Sequence, residues 1–224
     1  MNHPAIQENR VAIITGAAVG IGFAISSRLA SIGMKVILFD SNQTVLNIAL
    51  DKISEIYPTA ELKAIVGDVS DTSSLKMLYE QAVNFGDISL IVNNAAVMKV
   101  AGPWESNHNW HDCMEVNFWS VLAMQQLFTD YLLKQNYPSA IVNLGSKEGI
   151  TTPPGNAAYS VSKAAVKILT EQLAYELRES SNPQVSAHLL IPGYTFTPMN
   201  YPEMTEDTVK PTAMWSTDQV VECM

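Results

Sequence analysis

Short apolar runs alternate with amphipathic stretches along this chain. Val11–Ile14 is an apolar run that enters a Gly-rich turn. A helix is predicted from about Ile21 to Ser31, stopped by Gly33. Val36–Phe39 is a second strand ending at Asp40. From Asn42 to Ile56, apolar side chains at Val45, Ile48, Ala49, Ile53 and Ile56 recur three or four apart. Lys52 is the polar exception on that stripe, and Pro58 closes the helix. Leu62–Val66 is a third strand, followed by a helix over Thr72–Phe85 with Leu75, Leu78, Tyr79 and Ala82 on one face. Ile88–Val92 is a fourth strand and runs into Asn93-Asn94-Ala95-Ala96. Long helices are predicted over about Asn107–Gln135 and Asn156–Glu179, with a fifth strand at Ala140–Leu144 between them. Val185–Ile191 is a sixth strand. A Pro- and Met-rich loop follows to about Trp215, and Ser216 opens a short last helix.

Strands alternating with helices predict right-handed crossovers and a parallel sheet covered on both faces. The expectation is an α/β chain with one doubly wound sheet of six to seven strands. With no linker, repeat or low-complexity tract, residues 1–224 read as a single domain. Ligands of such sheets sit beyond the carboxyl ends of the strands. Thr15-Gly16, Asp40, Asp68, Asn93-Asn94, Ser146 and Pro192-Gly193 all fall there.

Composition narrows the partners. Hydrophobic residues make up 47% and charged residues 16%, as in a packed core rather than a disordered chain. Thirteen Lys and Arg against 22 Asp and Glu give a net charge of −9, which disfavours a phosphate-backbone surface and nucleic acid as a partner. Cys113 and Cys223 form no disulfide framework, so a reducing, cytoplasmic setting is expected. Val11–Ser27 carries no charge and approaches membrane-span length, but Thr15, Gly16, Gly20, Gly22, Ser26 and Ser27 interrupt it. A strand, a turn and a helix explain it better than a span. The polar N-terminus lacks the apolar core of a signal peptide.

The turn after the first strand reads Thr15-Gly-Ala-Ala-Val-Gly-Ile-Gly22. Glycines let the backbone approach a ligand, and the following helix offers free N–H groups and a partial positive charge to a pyrophosphate. Gly16, Gly20, Ile21 and Gly22 are therefore candidate dinucleotide contacts. Asp40 lies 18 residues after Gly22. A carboxylate there accepts hydrogen bonds from both ribose hydroxyls and repels a 2′-phosphate; a helix N-cap is its alternative role. With no Lys or Arg in the turn, NAD is favoured over NADP. Asp68 ends the third strand, where it either meets the adenine edge or caps the next helix, for which Ser70 and Asp71 are nearer.

Tyr159 and Lys163 are one helical turn apart. An ammonium near a phenol favours the phenolate, which matters for a general acid/base because a free tyrosine titrates near 10. Such pairs are also common on solvated helices. Ser146, 13 residues before Tyr159, follows the fifth strand, and Asn117 lies on the preceding long helix. Together with Asp68-Val69, Asn93-Asn-Ala-Ala96, Ile141-Val-Asn-Leu-Gly-Ser146, Tyr159-x-x-x-Lys163 and Pro192-Gly-Tyr-Thr-Phe-Thr197, the chain resembles the short-chain dehydrogenase/reductase family from Val11 to about Met199.

The resemblance implies a Rossmann-like domain and hydride transfer between NAD(H) and a secondary alcohol or ketone. It implies that Tyr159 exchanges a proton with the substrate oxygen, which Ser146 orients. Lys163 would hold the nicotinamide ribose and depress the Tyr159 pKa, and Asn117 would position a relay water. Asp68, Val69, Asn94, Ala95, Pro192, Thr195 and Thr197 would line the cofactor. It also implies a homodimer or homotetramer built on the two long helices.

The chain departs from the family pattern at Ala96 and Gly145, both mildly. The family adds an edge strand after the Ser216 helix, so the chain is expected to be either incomplete at Met224 or shortened in its assembly. A catalytically silent dinucleotide sensor or scaffold is the alternative function. His108, His111 and Cys113 cluster in sequence without a fourth ligand, so no metal is expected. Lys147, beside Ser146, either meets an anionic substrate or forms a mutual or solvent-facing ion pair with Glu148. Met98, Met199, Met204 and Met214 either line a substrate pocket or pack ordinarily, and Trp104, Trp110 and Tyr201 are candidates for an apolar wall.

Overall fold

The computed structural model describes residues 3–105, 108–205 and 207–223. Six parallel strands form one sheet: β1 (Val11–Thr15), β2 (Lys35–Asp40), β3 (Leu62–Val66), β4 (Ile88–Asn93), β5 (Ser139–Leu144) and β6 (Val185–Leu190). Their order is β3-β2-β1-β4-β5-β6. The chain therefore winds outward from β1 in one direction and from β4 in the other. The loops leaving β1 and β4 diverge at that reversal and open a crevice.

Alternate residues of one strand feed two different cores. Ala12 and Ile14 of β1 pack with Ile25 and Leu29 of α1 (Gly20–Ser31) and with Leu46, Ala49 and Ile53 of α2 (Gln43–Ile56). Val11 and Ile13 face the other way. They join Leu75, Leu78 and Ala82 of α3 (Thr72–Phe85) and the helix that follows β4. Each fully buried Leu or Ile contributes roughly 1.5–3 kcal/mol.

The helix starts differ from two sequence alternatives. Asn42 caps α2, its Oδ1 accepting from Val45 N at 3.2 Å, so Asp40 is not the cap. Asp71 caps α3, accepting from Ser73 N at 3.1 Å and Ser74 N at 3.0 Å, so Asp68 is not. The Ser73 and Ser74 hydroxyls also donate to the Asp71 carboxylate, and they, with the backbone bonds, hold its pKa down at about 2.

The first long helix is not uniform. It comprises α4 (His108–Met114), a π-helical turn (Glu115–Trp119) and α5 (Ser120–Leu133); its expected start, Asn107, lies outside the described residues. A short helix, α6 (Glu148–Thr151), precedes α7 (Ala157–Arg178) and escapes sequence reading because four residues display no period. The last helix, α8 (Thr217–Val221), begins with a Ser216–Gln219 capping box. A buried polar ladder ties the sheet to α7. Asn93 Nδ2 donates to Asn143 Oδ1 at 2.8 Å, and Asn143 Nδ2 donates to Thr170 Oγ1 at 2.9 Å.

Candidate active site

A cleft of about 410 Å³ opens beyond the carboxyl ends of β1, β4, β5 and β6. A larger hollow of about 620 Å³ lies between α1, α8 and the N-terminal segment, but it shares no residue with this cleft.

The floor is the turn from β1 into α1. Gly16 and Gly20 adopt φ of +62° and +59°, the left-handed region open to glycine. A Cβ on Gly22 would stand 2.1 Å from Gly16 O, so the turn closes only around a bare Cα there. Gly22 thus shapes the floor without lining it. Thr15 and Asn94 knot this turn to the end of β4. Asn94 N and Ala95 N both donate to Thr15 Oγ1 at 3.1 Å, while Asn94 Nδ2 donates to Thr15 O and Gly16 O at 2.9 Å. Thr15 carries no role of its own in the sequence reading, because its contact with Asn94 crosses 79 residues of chain. Val19, the N-cap of α1, makes no side-chain cap bond. The first-turn N–H groups of α1 are left to a ligand at the cleft.

Asp40 stands on the cleft wall, with Oδ2 accepting from Ala18 N at 3.1 Å and Oδ1 from Asn42 N at 3.0 Å. Its carboxylate is thereby fixed to the glycine turn. Ile21, Asn94, Ala95, Pro192, Thr195 and Thr197 line the same cleft. Asp68 does not. It is exposed, and its Oδ1 accepts from Ser70 N and Oγ at 2.8 and 2.7 Å; neighbouring Val69 is buried in the core beneath.

At the other end, Ser146, Tyr159 and Lys163 meet on one wall. Ser146 Oγ accepts from Glu148 N at 3.1 Å. With that lone pair occupied, its own O–H is free to donate to a second oxygen. Lys163 is buried, and its Nζ donates to Leu144 O at 2.8 Å. Burial brings its pKa down to about 8. The Lys163 ammonium lies 5.9 Å from the centre of the Tyr159 ring. The implied lowering of the phenol by Lys163 is not what prevails in this structure. Burial moves the Tyr159 pKa upward; the Ser146 hydroxyl opposes this, and Glu148 and Cys113 add to it.

Asn117 sits in the π-helical turn, fully buried and off the cleft wall. Its Oδ1 accepts from Val97 N at 2.8 Å, and its Nδ2 donates to Val97 O at 2.9 Å and Ser162 Oγ at 3.0 Å. Ser162 Oγ in turn donates to Tyr159 O at 2.7 Å. The side chain thus clamps the loop after β4 to the α7 turn that carries Tyr159.

Met98, Lys147, Glu148 and Met199 line the cleft, whereas Met204 and Met214 lie off it. Val19 and Tyr194, inside the quoted motifs, and Asn200, just past one, also line it, with no further signal in the sequence. Trp104 is 87% exposed and, like Trp110 and Tyr201, lies off the wall, so the aromatic wall is not formed. Trp110 Nε1 instead donates to Gly102 O at 3.1 Å. His108 and His111 are exposed while Cys113 is buried, so the three do not converge.

A family model described as short chain dehydrogenase matches residues 10–208. The chain belongs to this family. It is 32% identical over 192 residues to the 1-deoxy-11-beta-hydroxypentalenate dehydrogenase of Streptomyces avermitilis, covering 84% of this chain and 69% of that protein. A short-chain dehydrogenase/reductase from Burkholderia phymatum in complex with NAD superposes with a TM-score of 0.87 at 28% identity, covering 99% of this chain and 85% of that one. A short-chain dehydrogenase from Sphingobium yanoikuyae in complex with NADPH shares the fold, with a TM-score of 0.81 at 21% identity over 95% of this chain and 82% of that one. Like other short-chain dehydrogenases, this chain is an oxidoreductase that moves a hydride between a nicotinamide dinucleotide and a secondary alcohol or ketone.

Proposed function

We propose that this chain uses NAD(H) and that Tyr159 is its general acid/base. The observation that carries this reading is the convergence of Ser146, Tyr159 and Lys163 on the cleft floored by the glycine turn. The bound dinucleotide supplies the hydride acceptor or donor. Every proton step belongs to the protein. In oxidation, Ser146 O–H holds the substrate oxygen and the Tyr159 phenolate takes the hydroxyl proton. Lys163 binds the ribose and stands one turn from the phenol. Asn117 positions Tyr159 through Ser162 and Val97.

Asp40 supports NAD over NADP. Its carboxylate is held at the rim by Ala18 N, where it accepts from ribose hydroxyls and repels a 2′-phosphate. Asp68 and Val69 belong to the adenine side of this reading. The free thiols of Cys113 and Cys223 fit a cytoplasmic setting.

Assembly through α5 and α7 is part of the same reading. Val161, Ile168 and Tyr175 of α7 stand seven residues apart and are 47%, 56% and 58% exposed. A seven-residue spacing keeps them on one helix face, an apolar stripe that a second copy covers in a homodimer or homotetramer.

The test is a fluorescence titration with NADH and NADPH, run beside turnover of secondary alcohols. NADH is expected to bind more tightly. Tyr159→Phe is expected to keep NADH binding and lose about 10²–10⁴-fold in turnover. Near-full turnover by the variant overturns the role of Tyr159, and tighter NADPH binding overturns that of Asp40.

A further inference from the structure

Glu148 lines the cleft with Ser146 and Tyr159. Three contacts fix it there. Its backbone N–H donates to Ser146 Oγ at 3.1 Å. Its Oε2 accepts from Asn156 Nδ2 at 3.4 Å, a long contact. The next residue, Gly149, brings α6 onto the backbone of α7, where a Cβ would lie 2.8 Å from Ala164 N and from the Lys163 carbonyl carbon. Only a residue without a side chain allows α6 to sit this close to the turn bearing Lys163.

The neighbouring Lys147 does not neutralise this carboxylate. Among the described residues, the side-chain ion pairs are Arg10–Asp87, Lys35–Glu61 and Lys167–Glu171, and Lys147 is exposed. An ionised carboxylate has about four acceptor positions. Glu148 is half-buried with one weak donor, so it favours donors from a ligand beside Tyr159. Its charge already reaches the phenol, whose ionisation it opposes.

We propose that Glu148 is a specificity-determining residue that accepts a hydrogen bond from a hydroxyl or ammonium group next to the reacting carbinol. The substrates are then secondary alcohols bearing a neighbouring hydroxyl or amine, and a carboxylate at that place is rejected by like charge. This rests on the oxidoreductase reading above and adds the substrate class to it.

Three alcohols of matched size test it with NAD: isopropanolamine, propylene glycol and lactate. The wild-type chain is expected to prefer the first two in kcat/KM. Glu148→Gln is expected to lower kcat/KM for both and raise that for lactate, changing the propylene glycol to lactate ratio by ~10–100-fold. Glu148→Asp should recover part of the preference. A merely structural role would lower all three alike. The groups acting on the phenol are Ser146, Glu148 and Cys113, with Lys163 one turn away. Removing only the Glu148 charge should therefore move the rising limb of propylene glycol oxidation to lower pH. An unchanged ratio in a folded Glu148→Gln variant overturns the inference alone. Wild-type chain that binds NADH but oxidises none of the three overturns the substrate class. Absence of NADH binding overturns the function beneath it.

Discussion

Lys163 carries an ammonium into a site where Leu144 O accepts its hydrogen bond at 2.8 Å and solvent is excluded. Its pKa falls from 10.5 to about 8 through burial. Between those values the unfolded chain still holds a proton that the folded chain has released. Stability therefore rises with pH across about 8 to 10.5 and is flat with respect to this group below it. The rise amounts to on the order of 3 kcal/mol. Lys163→Met should abolish it, which urea denaturation at pH values on both sides of 8 would show. An equal rise in the variant would place the titrating group elsewhere. Comparing the two proteins cancels Tyr159, whose raised pKa works in the opposite direction at higher pH. The spacing of Tyr159 and Lys163 was legible in the sequence. Their burial was not, and burial is what sets both titrations.

The first βα turn shows how far an element can be read from its residues. Its glycine pattern marks a close backbone approach, but not the part each glycine plays. Gly22 faces Gly16 O and Asn94 Nδ2 so tightly that Gly22→Ala must displace the Gly16 carbonyl and the Asn94 amide. We expect a loss of roughly 1–3 kcal/mol in stability and at least a tenfold weaker NADH affinity, measured by thermal melting and fluorescence titration. Native NADH affinity in that variant would show that the turn is not the dinucleotide floor. Elsewhere, element boundaries were read well where apolar spacing is regular, as in α2 and α3. The π-helical turn and α6 were missed. The first sits inside a continuous helical pattern, and the second is too short to have one. Both matter for the site, since they carry Asn117 and Glu148.

At the scale of the whole molecule, the exposed stripe of Val161, Ile168 and Tyr175 is what supports the proposed assembly. The wild-type chain should sediment as a dimer or tetramer, and Ile168→Glu should shift it to a monomer. A monomeric wild-type chain would remove that reading. No helix among the described residues is long and apolar enough to cross a membrane, in line with the interrupted reading of Val11–Ser27.

The sequence by itself determined the alternation of strands and helices, the parallel sheet and the motifs at the carboxyl ends of its strands. It could do so because a continuous apolar run marks a strand buried on both faces, and a period of 3.6 records which face of a helix meets the core. Tertiary structure alone decided what crosses between elements. Thr15 is knotted to Asn94, Asn117 to Val97 and Ser162, and α6 rests on α7 at a bare glycine. It also decided that Lys163 is deprotonated more easily than a free lysine and Tyr159 less easily than a free tyrosine. The reason is the same in each case. Close approach and desolvation depend on neighbours brought from distant parts of the chain, and no local pattern records them.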